Sequence, residues 1–193
     1  MPYTGFAMRL FVGIPLPEKL SAEIARLSAR LRRSGNGLRW TAPESWHITL
    51  QFLGNTTDSQ FECVKQQLAG VRSPVVPVHL GNLGVFERAG VFLIEVEPSP
   101  ELVALARKVV ESTQPCGFAP QDRPYRPHIT LARAKPEARR QLRDLKAQAQ
   151  SAPHLSAFKA DEFLLYESHL GTGAQSTKFV EGMRWSGASG WKH

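Results

Sequence analysis

The chain reads His47-Ile48-Thr49-Leu50 and, in its second half, His128-Ile129-Thr130-Leu131. In an extended strand, side chains alternate between the two faces, so the histidine and the threonine of each copy share one face. The isoleucine and the leucine share the other face and can anchor the strand in an apolar core. The repeated tetrapeptide therefore predicts two strands that each present one imidazole and one hydroxyl on the same side.

The sequence around the two copies repeats as well. Apolar periodicity and turn residues predict the order strand, helix, motif strand, helix, strand, and this order occurs twice. The first repeat runs over about 9–86, the second over about 90–169, and a last strand follows at 178–185. A repeat of this length predicts two lobes related by approximate two-fold symmetry, in which equivalent strands face each other across a groove.

Both repeats belong to one domain in this interpretation, which extends over residues 8–185 between short tails at 1–7 and 186–193. Asp58 is the predicted N-cap of the second helix, and Gly70 follows the end of that helix. Pro136 suits the first turn of the fourth helix. The predicted strands are 9–16, 46–53, 75–86, 91–96, 128–132 and 158–169, and the predicted helices are 18–33, 58–69, 101–112 and one that begins at Pro136.

The composition is that of a globular protein with a basic balance. The 193 residues carry a formal net charge of +7, which fits either a solvated basic surface or attraction to a polyanion such as RNA. No apolar run approaches the roughly 20 residues of a membrane-spanning helix, and the N-terminus lacks the pattern of a signal peptide. Cys63 and Cys116 do not suggest a disulfide framework, so we expect a reducing cytoplasm and no membrane association.

Two imidazoles on facing strands suit general acid–base chemistry, because the unperturbed histidine pKa of about 6.5 lies near neutral pH. One of the two has to start neutral and the other protonated. Neither motif is accompanied by an acidic cluster, a carboxylate pair or a second histidine at metal-ligand spacing, so we expect no metal and no other cofactor. The other four histidines have no paired neighbour and are interpreted as structural or surface residues: His79, His154, His169 and His193.

Longer segments around the motifs resemble the 2H phosphoesterase family, which is named for two His-x-Thr motifs. The similar segments are Met8–Val12, Arg39–Trp40, Trp46–Gly54, Arg123–Arg133 and Leu165–Ser168. The resemblance is greatest to the bacterial branch of RNA 2′,3′-cyclic phosphodiesterases, also called 2′-5′ RNA ligases. It implies an α+β fold of two lobes, with antiparallel sheets lining a central cleft and helices outside.

The same resemblance implies an activity and a partner. The activity is metal-independent opening of a 2′,3′-cyclic phosphate at an RNA end to leave a 2′-phosphate, with weak reverse 2′-5′ ligation. The partner is RNA with such ends, with tRNA fragments as one candidate source, and we expect the chain to act as a monomer. By analogy with the family, His47 is the proton donor to the leaving 3′ oxygen and His128 is the proton acceptor from water. The exchanged assignment stays open, because the sequence alone does not distinguish the two histidines.

Five further residues are expected to bind the substrate. Thr49 and Thr130 would donate hydroxyl hydrogen bonds to phosphate oxygens, on which negative charge builds in the transition state. The resemblance adds Arg133 for the phosphate, although its odd offset from His128 requires the strand to end or twist before it. Arg126 would contact the RNA backbone, and Tyr125 would either stack on a base or form a wall of the cleft.

Three aromatic residues near the motifs are interpreted as core residues: Phe11, Trp40 and Phe52. A nearly symmetric cleft cannot by itself decide which oxygen leaves, so the residues that differ between the two motifs should orient the sugar ring. These residues are Gln51, Ala132, Arg133 and Tyr125.

Two other functions fit the same residues. One is a module that binds RNA ends or nucleotides without turning them over. The other is a cyclic phosphodiesterase of small nucleotides such as ADP-ribose cyclic phosphate. The intact pairs of histidine and threonine favour an enzyme, because binding alone does not require a proton donor and a proton acceptor together.

Overall fold

The computed structural model describes residues 8–32, 38–120, 123–148, 155–169 and 176–184. Ten strands and four α-helices are formed within these ranges, together with short 3-10 turns at Pro43–Ser45, Gln114–Cys116 and Pro136–Ala138. The elements are β1 (Met8–Pro15), α1 (Glu18–Arg32), β2 (Arg39–Trp40), β3 (His47–Thr56), α2 (Asp58–Ala69), β4 (Val76–Val78), β5 (Leu80–Phe86), β6 (Val91–Val96), α3 (Pro100–Thr113), β7 (His128–Arg133), α4 (Arg139–Gln148), β8 (Phe158–Ala160), β9 (Glu162–His169) and β10 (Ser176–Arg184).

The strands form two four-stranded antiparallel sheets and one short pair. The order is β10-β9-β1-β3 in the first sheet, β2-β7-β6-β5 in the second, and β4 pairs with β8. Each motif strand, β3 or β7, therefore pairs with the first strand of its own repeat. The repeats then exchange their last strands, because β5 joins the second sheet and β9 joins the first. The expected α+β fold with two related antiparallel sheets is confirmed, but each sheet draws on both halves of the sequence.

Both motif strands contain the same irregularity in register. In the first sheet Val12 lies opposite Gln51 and Gly13 opposite Thr49, which leaves Leu50 as an extra residue. In the second sheet Phe92 lies opposite Ala132 and Leu93 opposite Thr130, which leaves Leu131 as the extra residue. An inserted residue reverses the alternation of faces beyond it. Residues five positions after each histidine are therefore on the same side as the histidine.

The helices cover the sheets through apolar faces spaced at three and four residues. Helix α2 ends before Gly70 as predicted. Its N-cap is Thr57 and not Asp58, because the Thr57 hydroxyl and the Gln60 side chain form a reciprocal capping box. The larger apolar residues buried on the helices are Leu20, Ile24, Leu27 and Leu31 of α1, Val64 and Leu68 of α2, Leu102, Leu105 and Val109 of α3, and Leu142 and Leu145 of α4.

Several predicted boundaries differ from the structure. The predicted strands 75–86 and 158–169 are each divided into a short and a long strand, since β4 pairs with β8 and not with the main sheets. A 3-10 turn at Pro136–Ala138 precedes α4. The predicted last strand 178–185 is observed as Ser176–Arg184, and residue 185 and the predicted tails 1–7 and 186–193 lie outside the described residues. His154, His193 and the side chain of His169 also lie outside them.

A disulfide joins Cys63 of α2 to Cys116, which ends the 3-10 turn after α3, with a Cα–Cα distance of 5.7 Å. The expectation that the two cysteines form no disulfide framework is therefore wrong. Their 53-residue separation carries no signature of pairing, and the bond depends on the packing of α2 against α3. The cysteine content consequently no longer supports a reducing compartment.

None of the helices in the described ranges combines the length and the apolar character that crossing a bilayer requires.

Candidate active site

His47 is the first residue of β3 and follows the 3-10 turn at Pro43–Ser45. Its Nδ1 lies 2.8 Å from the carbonyl oxygen of Ser45. A carbonyl oxygen can only accept a hydrogen bond, so Nδ1 carries a proton and donates it. The neutral imidazole therefore presents an unprotonated Nε2, which is the nitrogen available for proton transfer.

His128 is the first residue of β7 and is held in the same way. Its Nδ1 donates to the carbonyl oxygen of Arg126 at 2.9 Å. In both motifs the acceptor is thus the carbonyl two residues before the histidine. The two-fold repeat of the sequence extends to the tautomer and orientation of the two imidazoles.

The aromatic surroundings of the two histidines differ. The His47 ring lies 4.4 Å from the ring of Phe11 and 5.5 Å from that of Tyr166, and those two rings stack on each other at 4.9 Å. The His128 ring contacts one aromatic ring, Phe86, edge-on at 4.9 Å. The sheet register explains the difference. Phe11 lies opposite Tyr166 in the first sheet, and the corresponding pair in the second sheet is Val91 opposite Phe86.

Gly13 makes room for the imidazole of His47. A Cβ atom at this position would lie 3.1 Å from the carbonyl oxygen of Ile48 and 3.4 Å from Cδ2 of His47. The first contact is with backbone, which cannot move without disturbing the pairing of β1 with β3. Glycine is therefore required at position 13 because β3 approaches the backbone closely there, and not because of its backbone angles.

The different surroundings give the two imidazoles different pKa values. Burial lowers the pKa of His47 to about 4, although the hydrogen bond that its Nδ1 donates to the Ser45 carbonyl opposes the change, and the positive charges of His128 and Arg133 contribute to the lowering. Burial also lowers the pKa of His128, together with the charges of Arg133 and Arg126, although its hydrogen bond to the Arg126 carbonyl opposes the change. Both imidazoles are therefore mainly neutral at pH 7 in the empty cleft. A bound phosphate would raise both pKa values.

The bulge in β7 resolves the odd offset of Arg133. Leu131 and Ala132 are both buried, and Arg133 returns to the half-buried side that carries His128 and Thr130. Its charge influences the pKa of both histidines. Burial lowers the pKa of Arg133 itself, and the nearby Arg39 and Arg9 lower it further.

Arg9 and Arg39 were not predicted as site residues. Arg39 lies directly opposite Arg133 in the pairing of β2 with β7. Three guanidinium groups near each other create a positive potential that favours an anion. The sequence holds no signal for this group, since β2 is only two residues long and its partner is not evident from the sequence.

Thr49 and Thr130 occupy equivalent positions, two residues after each histidine and on the same face. Both side chains are half-buried. Within the described part of the chain neither hydroxyl has a hydrogen-bond partner, so both remain able to donate to a ligand.

A cleft of about 920 Å³ opens beside His128. Its lining includes four predicted site residues, which are His128, Thr49, Tyr125 and Arg126, whereas His47, Thr130 and Arg133 do not line it. The covering of His47 by Phe11 and Tyr166 accounts for part of this difference. The apolar part of the remaining wall comes mainly from β3, β5 and α3: Leu50, Phe52, Val85, Phe86, Val103, Ala106 and Val110. Polar and charged residues line the cleft as well, among them Gln51, Glu87 and Arg88.

Tyr125 forms a wall of this cleft and connects the two motifs. Its hydroxyl donates to the carbonyl oxygen of Thr49 at 3.1 Å, and burial raises its pKa. Arg126 follows it with the guanidinium 4.7 Å from the centre of the Phe86 ring, a cation–π arrangement. Phe86 thus contacts His128 and Arg126 at the same time, and no motif in the sequence indicates this role.

The prediction that Phe52 is a core residue is wrong. Phe52 is 48% exposed and lines the cleft, because the bulge at Leu50 turns it to the histidine side. Phe11 is buried as predicted, and Trp40 packs edge-on against Phe92.

Two of the residues predicted to orient the sugar are engaged elsewhere. Ala132 is fully buried, so it has no access to a substrate. The Gln51 side chain is buried and accepts a hydrogen bond from the Thr113 hydroxyl at 2.8 Å. The bulges again give the reason, since they direct both positions into the core.

Comparison with known proteins gives consistent results. A family model described as the 2′-5′ RNA ligase superfamily matches residues 16–172. The chain is 31% identical over 172 residues to the RNA 2′,3′-cyclic phosphodiesterase of Geobacillus stearothermophilus, a match that covers 83% of the chain but only 52% of that relative, so the chain spans about half its length. It is 27% identical over 180 residues to the protein of the same name from Escherichia coli (strain K12), covering 92% of the chain and 96% of the relative.

The fold is similar to that of E. coli LigT, solved in complex with 3′-AMP. The TM-score is 0.75 at 23% sequence identity, and the match covers 92% of this chain and 98% of LigT. A family model that spans most of the chain, two equivalent histidine motifs and this fold lead to one conclusion: the chain belongs to the 2′-5′ RNA ligase superfamily.

Proposed function

We propose that the protein hydrolyses 2′,3′-cyclic phosphate ends of RNA to 2′-phosphates, without a metal ion, by acid–base catalysis between His47 and His128. The proposal depends above all on the pair of equivalent histidines, each with Nδ1 held by the carbonyl two residues before it. Proton removal requires an imidazole with an unprotonated Nε2, proton donation requires one protonated at Nε2, and a binding module does not need both. Relatives named RNA 2′,3′-cyclic phosphodiesterase support the choice of reaction.

In the proposed reaction His128 removes a proton from water as the water attacks phosphorus, and His47 protonates the 3′ oxygen as its bond to phosphorus breaks. The family analogy supports this assignment. The lowering of the His47 pKa to about 4 supports the exchanged assignment, because the base has to begin neutral. A substrate with sulfur in place of the leaving 3′ oxygen distinguishes them, since sulfur leaves without protonation. With this substrate, replacing the histidine that acts as the acid should lower the rate only slightly, whereas replacing the histidine that acts as the base should lower it as much as with the ordinary substrate.

Thr49, Thr130 and Arg133 stabilise the phosphate in this proposal. The two hydroxyls donate to non-bridging oxygens, and the Arg133 guanidinium balances the charge that accumulates on them. Arg126 and Tyr125 border the path of the RNA where they line the cleft. The apolar wall that contains Phe52 offers a surface for the base of the terminal nucleotide.

The decisive experiment measures turnover of an oligoribonucleotide with a 2′,3′-cyclic phosphate end in the presence of EDTA, with the product identified by phosphorus NMR. We expect a 2′-phosphate and no loss of rate with EDTA. His47→Ala and His128→Ala should each lower kcat by roughly 10²–10⁴. A rate that is lost in EDTA and restored by a divalent ion contradicts the metal-free mechanism. Tight binding without product between pH 5 and pH 8 indicates a binding module.

The same assay addresses the finer parts of the proposal. Faster turnover of ADP-ribose cyclic phosphate than of the oligonucleotide would assign the chain to small nucleotides. By microscopic reversibility the enzyme should join a cyclic end to a 5′-hydroxyl through a 2′-5′ bond, but weakly, because water competes. We propose that it acts as a monomer in the cytoplasm, where RNA ends are formed. Sedimentation and cell fractionation test these two statements.

A further inference from the structure

A second, smaller cavity of about 270 Å³ is lined by Glu87, Arg88, Arg139 and Arg143. One wall is the turn between β5 and β6, and the other is the N-terminal half of α4. The cavity takes no part in the chemistry described above.

The backbone fixes the two walls relative to each other. The amide of Ala134 donates to the carbonyl of Gly90 at 2.8 Å, which ties the turn to the segment leading into α4. Gly90 has a φ of +63°, and a Cβ there would lie 2.8 Å from the Ala134 carbonyl oxygen, so the close approach requires glycine. Arg139 and Arg143 are four residues apart on α4 and therefore share one face of the helix.

The small cavity continues the catalytic cleft, because Glu87 and Arg88 line both. Phe86, the preceding residue, contacts the His128 ring. Arg88 comes two residues after Phe86, and two residues of extended chain span at most about 7 Å. The backbone of Arg88 is therefore close to the residue that contacts His128. A chain of nucleotides bound with its end at His128 can reach the small cavity along a continuous surface.

The charge of this cavity favours a phosphate diester. It combines three guanidinium groups with one carboxylate, and all four side chains are exposed. Within the described residues no carboxylate forms an ion pair with any of the three arginines. Guanidinium groups bind phosphate oxygens through two parallel hydrogen bonds. The Glu87 carboxylate can accept a hydrogen bond from a ribose 2′-hydroxyl, a group that occurs in RNA and not in DNA.

We propose that Arg88, Arg139 and Arg143 bind a backbone phosphate of the RNA on the 5′ side of its cyclic end. The strand then passes from His128 across Phe86 and the β5–β6 turn to α4. This inference depends on the proposed function, since it takes the cyclic end at His128 as the starting point. It gives the enzyme a preference for oligonucleotides over mononucleotides that the catalytic residues alone do not supply.

The test uses the double variant Arg139→Gln/Arg143→Gln in the full chain. We expect KM for a six-nucleotide RNA with a cyclic phosphate end to rise about tenfold, with kcat unchanged and a weaker dependence of KM on salt. KM for a 2′,3′-cyclic mononucleotide, which is too short to reach the cavity, should stay the same. Both side chains are exposed, so the thermal melting temperature should also stay the same.

The matched control is Arg26→Gln/Arg30→Gln on α1. This pair has the same four-residue spacing on a helix, both side chains are exposed, and neither lines a cavity described above. An equal rise of KM in the control would show that net charge alone attracts RNA and would overturn the inference. So would an unchanged KM of the α4 variant for the oligonucleotide, or an equal rise for the mononucleotide.

A binding measurement separates failure of this inference from failure of the proposed function. If the wild-type chain turns over neither substrate, the proposed function is wrong, and the affinity for a six-nucleotide RNA with a 2′-phosphate end still tests the cavity by fluorescence anisotropy. The α4 variant should bind about tenfold more weakly than the α1 variant. Equal affinities would contradict a phosphate site at α4.

Discussion

Identical residues in identical local structure need not have the same chemistry. His47 and His128 share a tetrapeptide, a strand position and a hydrogen bond to the carbonyl two residues earlier. Their difference comes from neighbouring strands, which, among the described residues, place Phe11 and Tyr166 against the first imidazole and only Phe86 against the second. Desolvation disfavours the charged form of an imidazole, so the more enclosed ring has its pKa lowered to about 4.

The first prediction concerns titration in the absence of substrate. Following the ring nitrogens by NMR, we expect His47 to titrate near pH 4, well below the ordinary value of about 6.5. Phe11→Ala admits water to this ring, which stabilises the protonated form and therefore raises the pKa toward 6.5. Phe86→Ala is the matched control, because it opens the ring of His128 and should leave His47 unchanged. Titration of His47 near 6.5 in the wild-type chain would contradict the role given to burial.

At the scale of elements, the two bulges determine which side chains share a face with the histidines. Straight strands would direct Arg133 and Phe52 to the face opposite the histidines, and the extra residues Leu131 and Leu50 turn both to the histidine face. The two positions are equivalent in the repeat but carry different chemistry. One offers a guanidinium for the phosphate, and the other offers an apolar surface. The bulges thus make a symmetric pair of strands into an asymmetric site.

The second prediction tests the contact made by Arg133. Arg133→Lys keeps the charge but loses the two-pronged hydrogen bonding, and Arg133→Gln loses both. We expect kcat/KM to fall about tenfold in the first variant and about 100-fold in the second, with inhibition by inorganic phosphate weakened in parallel. Arg30→Gln, an exposed substitution on α1, serves as the control. Wild-type activity of the Lys variant would mean that fork geometry is not used, and equal activity of the Lys and Gln variants would mean that the charge is not used.

Much of the element order follows from the sequence, and the bounds of α2 and β6 agree with the prediction because Gly70, Pro98 and the apolar run 91–96 are strong local signals. The location of both histidines on strands, and the face that each shares with a threonine, also follow from the alternation of side chains along a strand. The bulges do not, because an inserted residue is defined only by its partner strand. The position of Arg133, the exposure of Phe52 and the burial of Ala132 depend on those bulges, so local patterns predicted them incompletely or wrongly.

At the scale of the whole molecule, the exchange of β5 and β9 interlocks the two repeats. Neither half of the sequence can complete its own four-stranded sheet. This supports the proposal of a single domain over residues 8–185, since separating the halves would expose sheet edges in both. The exchange also links the positions of the two histidines, because each motif strand belongs to a sheet that contains a strand from the other repeat.

The disulfide adds a second connection at this scale, from α2 to the segment that leads toward Tyr125 and His128. The Gln60 side chain supports the same junction by donating to the Cys116 carbonyl at 3.3 Å. Closing a loop over a 53-residue separation reduces the entropy of the unfolded chain, which a loop-entropy estimate places at about 4 kcal/mol. The bond lies outside the set of residues that contact the phosphate in our proposal.

The last prediction follows from that position. Cys63→Ser/Cys116→Ser should lower the free energy of unfolding by about 4 kcal/mol, measured in urea, while kcat at low temperature stays close to that of the wild type. A reducing agent should lower the melting temperature of the wild-type chain and leave that of the double variant unchanged, since only the former has a bond to lose. Two reactive thiols in the native, unreduced protein would contradict the cross-link. They would also restore the argument for a reducing compartment, because the cysteine content would again fit a cytoplasmic protein.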